Sequence, residues 1–271
     1  MNWKAKAFGF ICIFVAGVVL SACTSEGADT DTTVTINALP DFSAYSDVKE
    51  KKKAFFDFLR PIVEQENSKV ARERDRMLAL YARIGKGEAI SASEIEWLNQ
   101  LAEKYRVEMT GPDDNQAQTL LKRRVDTVPF RLALAQAANE SSWGTSRFAR
   151  QGLNFFGQWC FTQGCGMVPV QRSKGMTHEV ATYASVNDSV AAYIRSINRV
   201  HMYTPLRTLR RSIKKRGDRP TAVELAQELT GYSERGEAYV SEIQSMIRVN
   251  YDLMAPTEKS QQAAMKATNS I

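Results

Sequence analysis

The chain is predicted to be mainly α-helical, with extra N-terminal helices ahead of a helical domain that carries one small β-containing lobe. Three observations predict this class. Apolar residues recur three, four and seven positions apart over most of residues 47–251, the period of a helix with one buried face. Ser or Thr followed three residues later by Glu recurs at Ser91–Glu94, Ser93–Glu96 and Thr221–Glu224, a pairing that satisfies free backbone N–H groups at a helix start. Between 153 and 183 the helical period is lost. Aromatic residues, glycines and the strand-like runs MVPVQ and HEVATY take its place.

In chain order, Val48, Phe55, Phe56 and Leu59 mark a first helix, and Pro61 stands where a new start or a kink is expected. Val63, Val70, Met77, Tyr81 and Ile84 continue the pattern until Gly85 and Gly87 stop it. Trp97, Leu98, Leu101 and Tyr105 follow the first capping boxes, and Gly111-Pro112 is a turn. A helix over 114–124 comes next. Asp126 or Thr127 is expected to cap the run FRLALAQAANE, with Pro129 in its first turn. Asp188 or Ser189 is expected to cap a helix bearing Val190, Tyr193, Ile194 and Ile197. Thr221 opens a helix ended by Gly231, and Val240, Ile243 and Ile247 lie on a last one.

The 271 residues are 44% hydrophobic and 24% charged, ordinary for a globular chain long enough to bury a core. Fifteen glycines and eight prolines exclude a collagen-like or largely disordered chain. Two histidines and four cysteines leave too few ligands for a three-histidine zinc centre. Neither a metal nor another cofactor is expected.

The ends read differently from the middle. Lys4 and Lys6 precede the uncharged run AFGFICIFVAGVVLSA, the make-up of an export signal over 1–22. It ends in Leu20-Ser21-Ala22-Cys23, which resembles the lipobox of bacterial lipoproteins. The resemblance implies cleavage before Cys23 and lipidation of that residue; an uncleaved signal anchor is the other reading. Thr24, rather than an aspartate, favours an outer-membrane anchor in the periplasm over an inner-membrane one. Residues 23–45 are rich in Thr, Asp and small side chains and read as a tether. Residues 255–271 read as a flexible tail. Residues 46–113 form an N-terminal helical region, and 114–254 the remaining domain.

After export two cysteines remain in the fold, Cys160 and Cys165 of WCFTQGCG. An oxidising compartment favours a disulfide closing this short loop, worth about 2 kcal/mol by loop entropy. Free thiols, or two ligands of a metal, are the alternatives. Export also changes the meaning of the basic run Arg195–Arg219, where nine Lys and Arg face a single acid, Asp218. Inside a cell such a run suggests nucleic acid. In the envelope no nucleic acid is expected, and the run reads as a solvated helix face that meets anionic peptides or lipids.

Glu140 ends the small-residue run LALAQAANE and is followed by Ser141, Ser142, Trp143 and Gly144. A carboxyl beside a large indole at a chain break is partly desolvated, which raises its pKa. A glutamate kept protonated near neutral pH serves as a general acid, the group that protonates a glycosidic oxygen. Spacing alone favours a surface glutamate at a helix end.

The stretch LAQAANESSWGTSRFA, with NFFG close behind it, resembles the glucosaminidase family of peptidoglycan hydrolases. WCFTQGCG, HEVATYASVNDSVAAYI and LTGYSERGEAYVSEI narrow the resemblance to Bax-type members, over about residues 115–253. It implies a lysozyme-like fold with a groove between a helical body and a small β lobe. It also implies hydrolysis of the β-1,4 bond after N-acetylglucosamine in cell-wall glycan strands. The family's catalytic acid falls on Glu140, and its supporting tyrosine on Tyr232 of Gly231-Tyr232. Groove positions fall on Ser142, Trp143, Asn154, Phe156 and Gly157, with Tyr183 near them; core packing is the other role open to Trp143 and Phe156. Many members carry a second acid in the β lobe. VPVQRSKG has none there, so Glu179 is the nearest candidate, slightly too late in the chain; a strand-edge glutamate fits it as well. Without a second carboxylate, Tyr232 could hold the water, or the substrate's acetamido oxygen could assist.

A non-catalytic wall-binding lipoprotein, and a muramidase or lytic transglycosylase, are the competing readings. Glycan strands and the membrane are the partners these readings imply. No protein partner is indicated.

Overall fold

Helix α1 (Val48–Gly85) runs unbroken for 38 residues. Asp47 caps it, accepting the Glu50 N–H. Pro61 lies inside it rather than at a start. A proline within a helix removes a backbone hydrogen bond and costs about 3 kcal/mol. Tertiary burial overrides that cost here: Phe55, Phe56, Leu59, Ile62 and Val63 are all buried around Pro61, each apolar side chain contributing about 2 kcal/mol. Arg60, also buried, donates to the Leu253 and Met254 carbonyls and so ties α1 to the chain's far end.

The computed structural model describes residues 34–170, 172 and 175–256. The expected signal 1–22, the lipidation candidate Cys23 and the tail from 257 lie outside the described residues. Among the described residues no helix is long and apolar enough to cross a membrane.

α2 (Ala92–Lys104) opens with the Ser91–Glu94 capping box. α3 (Asn115–Arg124) is capped by Asp114. α4 (Phe130–Glu140) is the central helix. From Leu132 to Ala138 every residue is buried, and its alanines allow close approach of α1 on one side and α9 (Glu237–Val249) on another. Its N-cap is Pro129, with no side-chain cap. Asp126, expected as the cap, is instead drawn into ion pairs with Arg210 and Lys214. α5 (Arg147–Gly152) was not foreseen in the sequence.

The lobe after α5 holds three short antiparallel strands, β1 (Trp159–Cys160), β2 (Gly166–Met167) and β3 (Glu179–Ala181), in the order β1-β3-β2. Val180 of β3 faces Trp159 on one side and Met167 on the other. MVPVQ contributes only its first residue, because Pro169 has no N–H for a ladder.

α6 (Val186–Arg199) is capped by Ser185, three residues before the expected Asp188. The Ser185 hydroxyl accepts the Asp188 N–H and donates to its carboxylate. α7 (Thr204–Lys215) carries part of the basic run, but not on a wholly solvated face: Arg207 and Arg210 are fully buried. α8 (Ala222–Ala226) follows the Thr221–Glu224 box and stops short of Gly231. A helical body with a small sheet beside it is a mainly α, lysozyme-like plan with N-terminal helices.

Two boundaries differ from expectation. The described residues from 34 to 256 group as one compact unit, so 46–113 and 114–254 do not separate; α1 packs on α4 and α6. The tether reading also fails for its described part. Ile36 exchanges backbone and side-chain hydrogen bonds with Val186 and Asn187. Phe42 is buried edge-on against Phe55 and Phe58. Ile36, Leu39 and Phe42 supply the apolar anchor that a solvated linker lacks.

Candidate active site

A groove of about 1190 Å³ lies where α4, α6, the β lobe and the segment after α8 meet. Glu140, Phe156, Gly157, Tyr183 and Tyr232 line it, as do Trp159, Arg195, Arg199, Tyr203 and Glu234.

Glu140 reaches the groove because α4 ends there in a tight turn. The Ser141 hydroxyl donates to the Ala137 carbonyl at 2.6 Å and accepts the Gly144 N–H at 2.8 Å. Ser142, Trp143 and Gly144 then follow in the left-handed region, with φ of 51°, 59° and 77°, a conformation that costs roughly 1–2 kcal/mol per non-glycine residue. Trp143 holds the turn: its indole packs edge-on against Phe55 and Phe56 of α1 at 5.7 and 5.3 Å. At Gly144 a Cβ would lie 2.5 Å from the Phe42 ring. Two expectations are corrected here. Trp143 and Ser142 do not line the groove; the indole anchors the turn to α1, and Ser142 is exposed.

The Glu140 carboxyl is half-buried. Burial pushes its pKa above the ordinary glutamate value, hydrogen bonds from Tyr239 and Asn139 oppose the rise, and the Glu242 charge adds to it. Tyr239 belongs to a directed chain. Tyr193 donates to Gln136 Oε1 at 2.6 Å and Gln136 Nε2 donates to the Tyr239 oxygen at 3.0 Å. The Tyr239 hydrogen is thereby left for Glu140. Gly157 closes the other side: its φ is +63°, and a Cβ there would stand 3.5 Å from Glu140 Oε2. Sequence reasoning missed Gln136 and Tyr239. Both fall inside the stretches that carry the family resemblance, LAQAANESSWGTSRFA and LTGYSERGEAYVSEI, but only the packing of α9 on α4 brings them to Glu140.

Tyr232 donates to the Phe156 carbonyl at 2.8 Å, which leaves its oxygen lone pairs free to accept. Its ring stacks on Tyr239 at 5.3 Å. Burial, and then neighbouring phenols and Glu140, push its pKa far up, so it stays a neutral phenol. Phe156 is buried and stacks on Tyr193 at 4.0 Å. Tyr183 donates to Gln158 Oε1 at 2.8 Å; burial lifts its pKa to about 12.

Asn154 does not line the groove. Buried at 1% exposure, it donates to the Gln158 and Ala181 carbonyls and accepts the Phe156 and Gln158 N–H groups. It shapes the loop that presents Phe156 and Gly157. Glu179 is also elsewhere. Its carboxylate accepts the Gly164 and Gly166 N–H groups at 3.0 and 2.8 Å, which hold its pKa below the ordinary value. It pins the loop closed by the Cys160–Cys165 disulfide and offers nothing to the groove. Among the described residues the second carboxylate lining the groove is the exposed Glu234.

The family profile described as mannosyl-glycoprotein endo-beta-N-acetylglucosaminidase matches residues 115–252. The chain belongs to the glucosaminidase family. It is also similar to Protein bax of Escherichia coli (strain K12), with 30% identity over 219 residues, covering 81% of this chain and 77% of that protein. That stretch is too long to fit within 115–271, so it takes in part of the N-terminal helices. No solved structure matches. The glucosaminidase assignment makes the protein a glycoside hydrolase-type enzyme, and the groove with its half-buried acid is the feature that suits a glycan chain.

Proposed function

We propose that this glucosaminidase is a peptidoglycan hydrolase that cleaves within glycan strands at the β-1,4 bond after N-acetylglucosamine, with Glu140 as general acid. One observation carries the reading: a half-buried carboxyl stands on the wall of an open groove, at the end of a turn that fixes its position. Protonated Glu140 gives its proton to the leaving oxygen as the C1–O bond breaks.

No carboxylate among the described groove residues is held rigidly opposite Glu140, since Glu179 is engaged in its loop and Glu234 is exposed. We assign the displacement to the substrate's acetamido oxygen, which bonds to C1 as the leaving group departs. Tyr232 presents a lone pair that accepts the acetamido N–H and turns its carbonyl toward C1. Water then opens the cyclic intermediate and returns a proton to Glu140. Retention at C1 is the expected outcome.

Digestion of purified peptidoglycan tests both parts. Mass spectrometry should find new reducing N-acetylglucosamine ends, and proton NMR should find the β-anomer first. Reducing N-acetylmuramic acid ends mean a muramidase, anhydro ends a transglycosylase, and no release at any dose a wall-binding protein. A first-formed α-anomer excludes the acetamido route.

We further propose that residues 1–22 are an export signal and that Cys23 anchors the mature chain to the outer membrane from the periplasm. Mass spectrometry of the mature N-terminus should find a diacylated, N-blocked Cys23; an intact Met1 would exclude it.

A further inference from the structure

The groove contains two arginines that the proposed hydrolysis does not use. Arg195 and Arg199 stand one turn apart on α6, and both line the cavity with Ser196 between them. Neither makes an ion pair among the described residues. The groove's third arginine, Arg235, is by contrast paired with Glu242 at 2.7 Å. Arg199 donates one N–H to the Lys104 carbonyl at 3.2 Å, and its Nε is buried without a partner. Burial, and then the Arg106 and Arg195 charges, hold its pKa below the ordinary value. The nearby acid of α6, Asp188, is engaged by the Ser185 cap.

Like charges four apart on a helix repel, and the half-buried setting of both residues strengthens their field. A solvated helix face does not need such an arrangement; a wall that receives an anion does. N-acetylglucosamine, and N-acetylmuramic acid whose lactyl carboxyl is amide-linked to its peptide, offer a guanidinium nothing ionic to pair with. The acidic peptides that branch from a cell-wall strand carry carboxylates, which match the arginine fork in a bidentate pair.

We infer that Arg195 and Arg199 are a carboxylate-reading wall of the groove, which selects strands still bearing their acidic peptides over uncharged glycan. This rests on the peptidoglycan reading above and specifies the form of its substrate.

The test is equilibrium binding of Glu140→Gln full-length protein to two soluble strands of equal length, one peptide-bearing and one stripped of peptide by an amidase, with the lactyl carboxyls this exposes capped as methylamides. Peptide-bearing strands should bind at least about tenfold tighter at low salt, with the ratio shrinking as salt is raised. Arg195→Gln, which removes a side chain that makes no hydrogen bond among the described residues, should lower the ratio several-fold. Arg195→Gln/Arg199→Gln should bring it near one, with thermal melting checking the fold. Equal binding of the two strands by the parent, or an unchanged ratio in Arg195→Gln, overturns the inference. The cleavage assay separates the two claims. Reducing N-acetylglucosamine from both strands with equal binding keeps the hydrolase and removes the wall. A tenfold binding ratio with no cleavage of either strand by wild type keeps the wall and removes the hydrolase.

Discussion

Glu140 is costly to the fold, and the cost has a definite pH dependence. Its folded pKa lies above the ordinary value, so the native state holds this proton more tightly than the unfolded chain does. Stability therefore falls as pH rises from the unfolded pKa, about 4.3, through the raised folded one. Glutamine accepts the same Tyr239 hydrogen bond without that penalty. Glu140→Gln should melt higher than wild type above this window and equally below it; a lower melting point at pH 8 would contradict the burial argument. Glu179 bears the opposite expectation. Its carboxylate is used up by two backbone N–H groups, so Glu179→Gln should keep turnover within about tenfold of wild type. Loss of about a hundredfold or more, the scale of a missing acid–base group, would return it to the chemistry. Sequence reading named Glu140, Phe156, Gly157, Tyr183 and Tyr232, and all five line the groove. It misplaced Trp143 and Asn154 because a motif records which residues occur together, not which of them face the ligand and which support the turn.

At the scale of elements, local signals and burial contest each boundary. Capping boxes at Ser91 and Thr221 start α2 and α8 as expected, because both partners lie within one turn. Pro61 fails to break α1, and Asp126 fails to cap α4, because distant partners decide both. Those partners, Arg210 and the core around Phe55, are invisible in a local window. The segment before α1 shows the same thing. Composition reads it as a tether, yet Phe42 fills the space beside Gly144 that no Cβ could share. Phe42→Ala should therefore cost about 3–5 kcal/mol, the range for losing a buried aromatic ring, and should slow cleavage by loosening the turn that presents Glu140. Urea unfolding within about 0.5 kcal/mol of wild type, the range of a neutral surface change, would mean that the segment is a tether after all.

Across the whole molecule, one buried ionic cluster links the N-terminal helices to the catalytic body. Arg210 is fully buried; it donates to the Thr127 and Arg123 carbonyls and to Asn198, and it faces Asp126 at 3.5 Å. Lys214 hydrogen-bonds Asp126 at 2.6 Å, and Arg74 of α1 stands 3.9 Å away. Burial alone would raise the Asp126 pKa, but these three cations hold it below the ordinary value. Its contribution is present above the unfolded pKa and lost as pH falls through the lowered one. Asp126→Ala strands the buried guanidinium and should cost about 3–5 kcal/mol in urea at pH 7. It should also flatten the acid side of the stability curve; an unchanged acid limb would refute the cluster's role.

The most direct measurement on the catalytic proposal compares wild type and Glu140→Gln on the same purified peptidoglycan, scoring released fragments and sedimented protein together. The expected result is abolished release with undiminished binding. Release at the wild-type rate from the glutamine variant would contradict it.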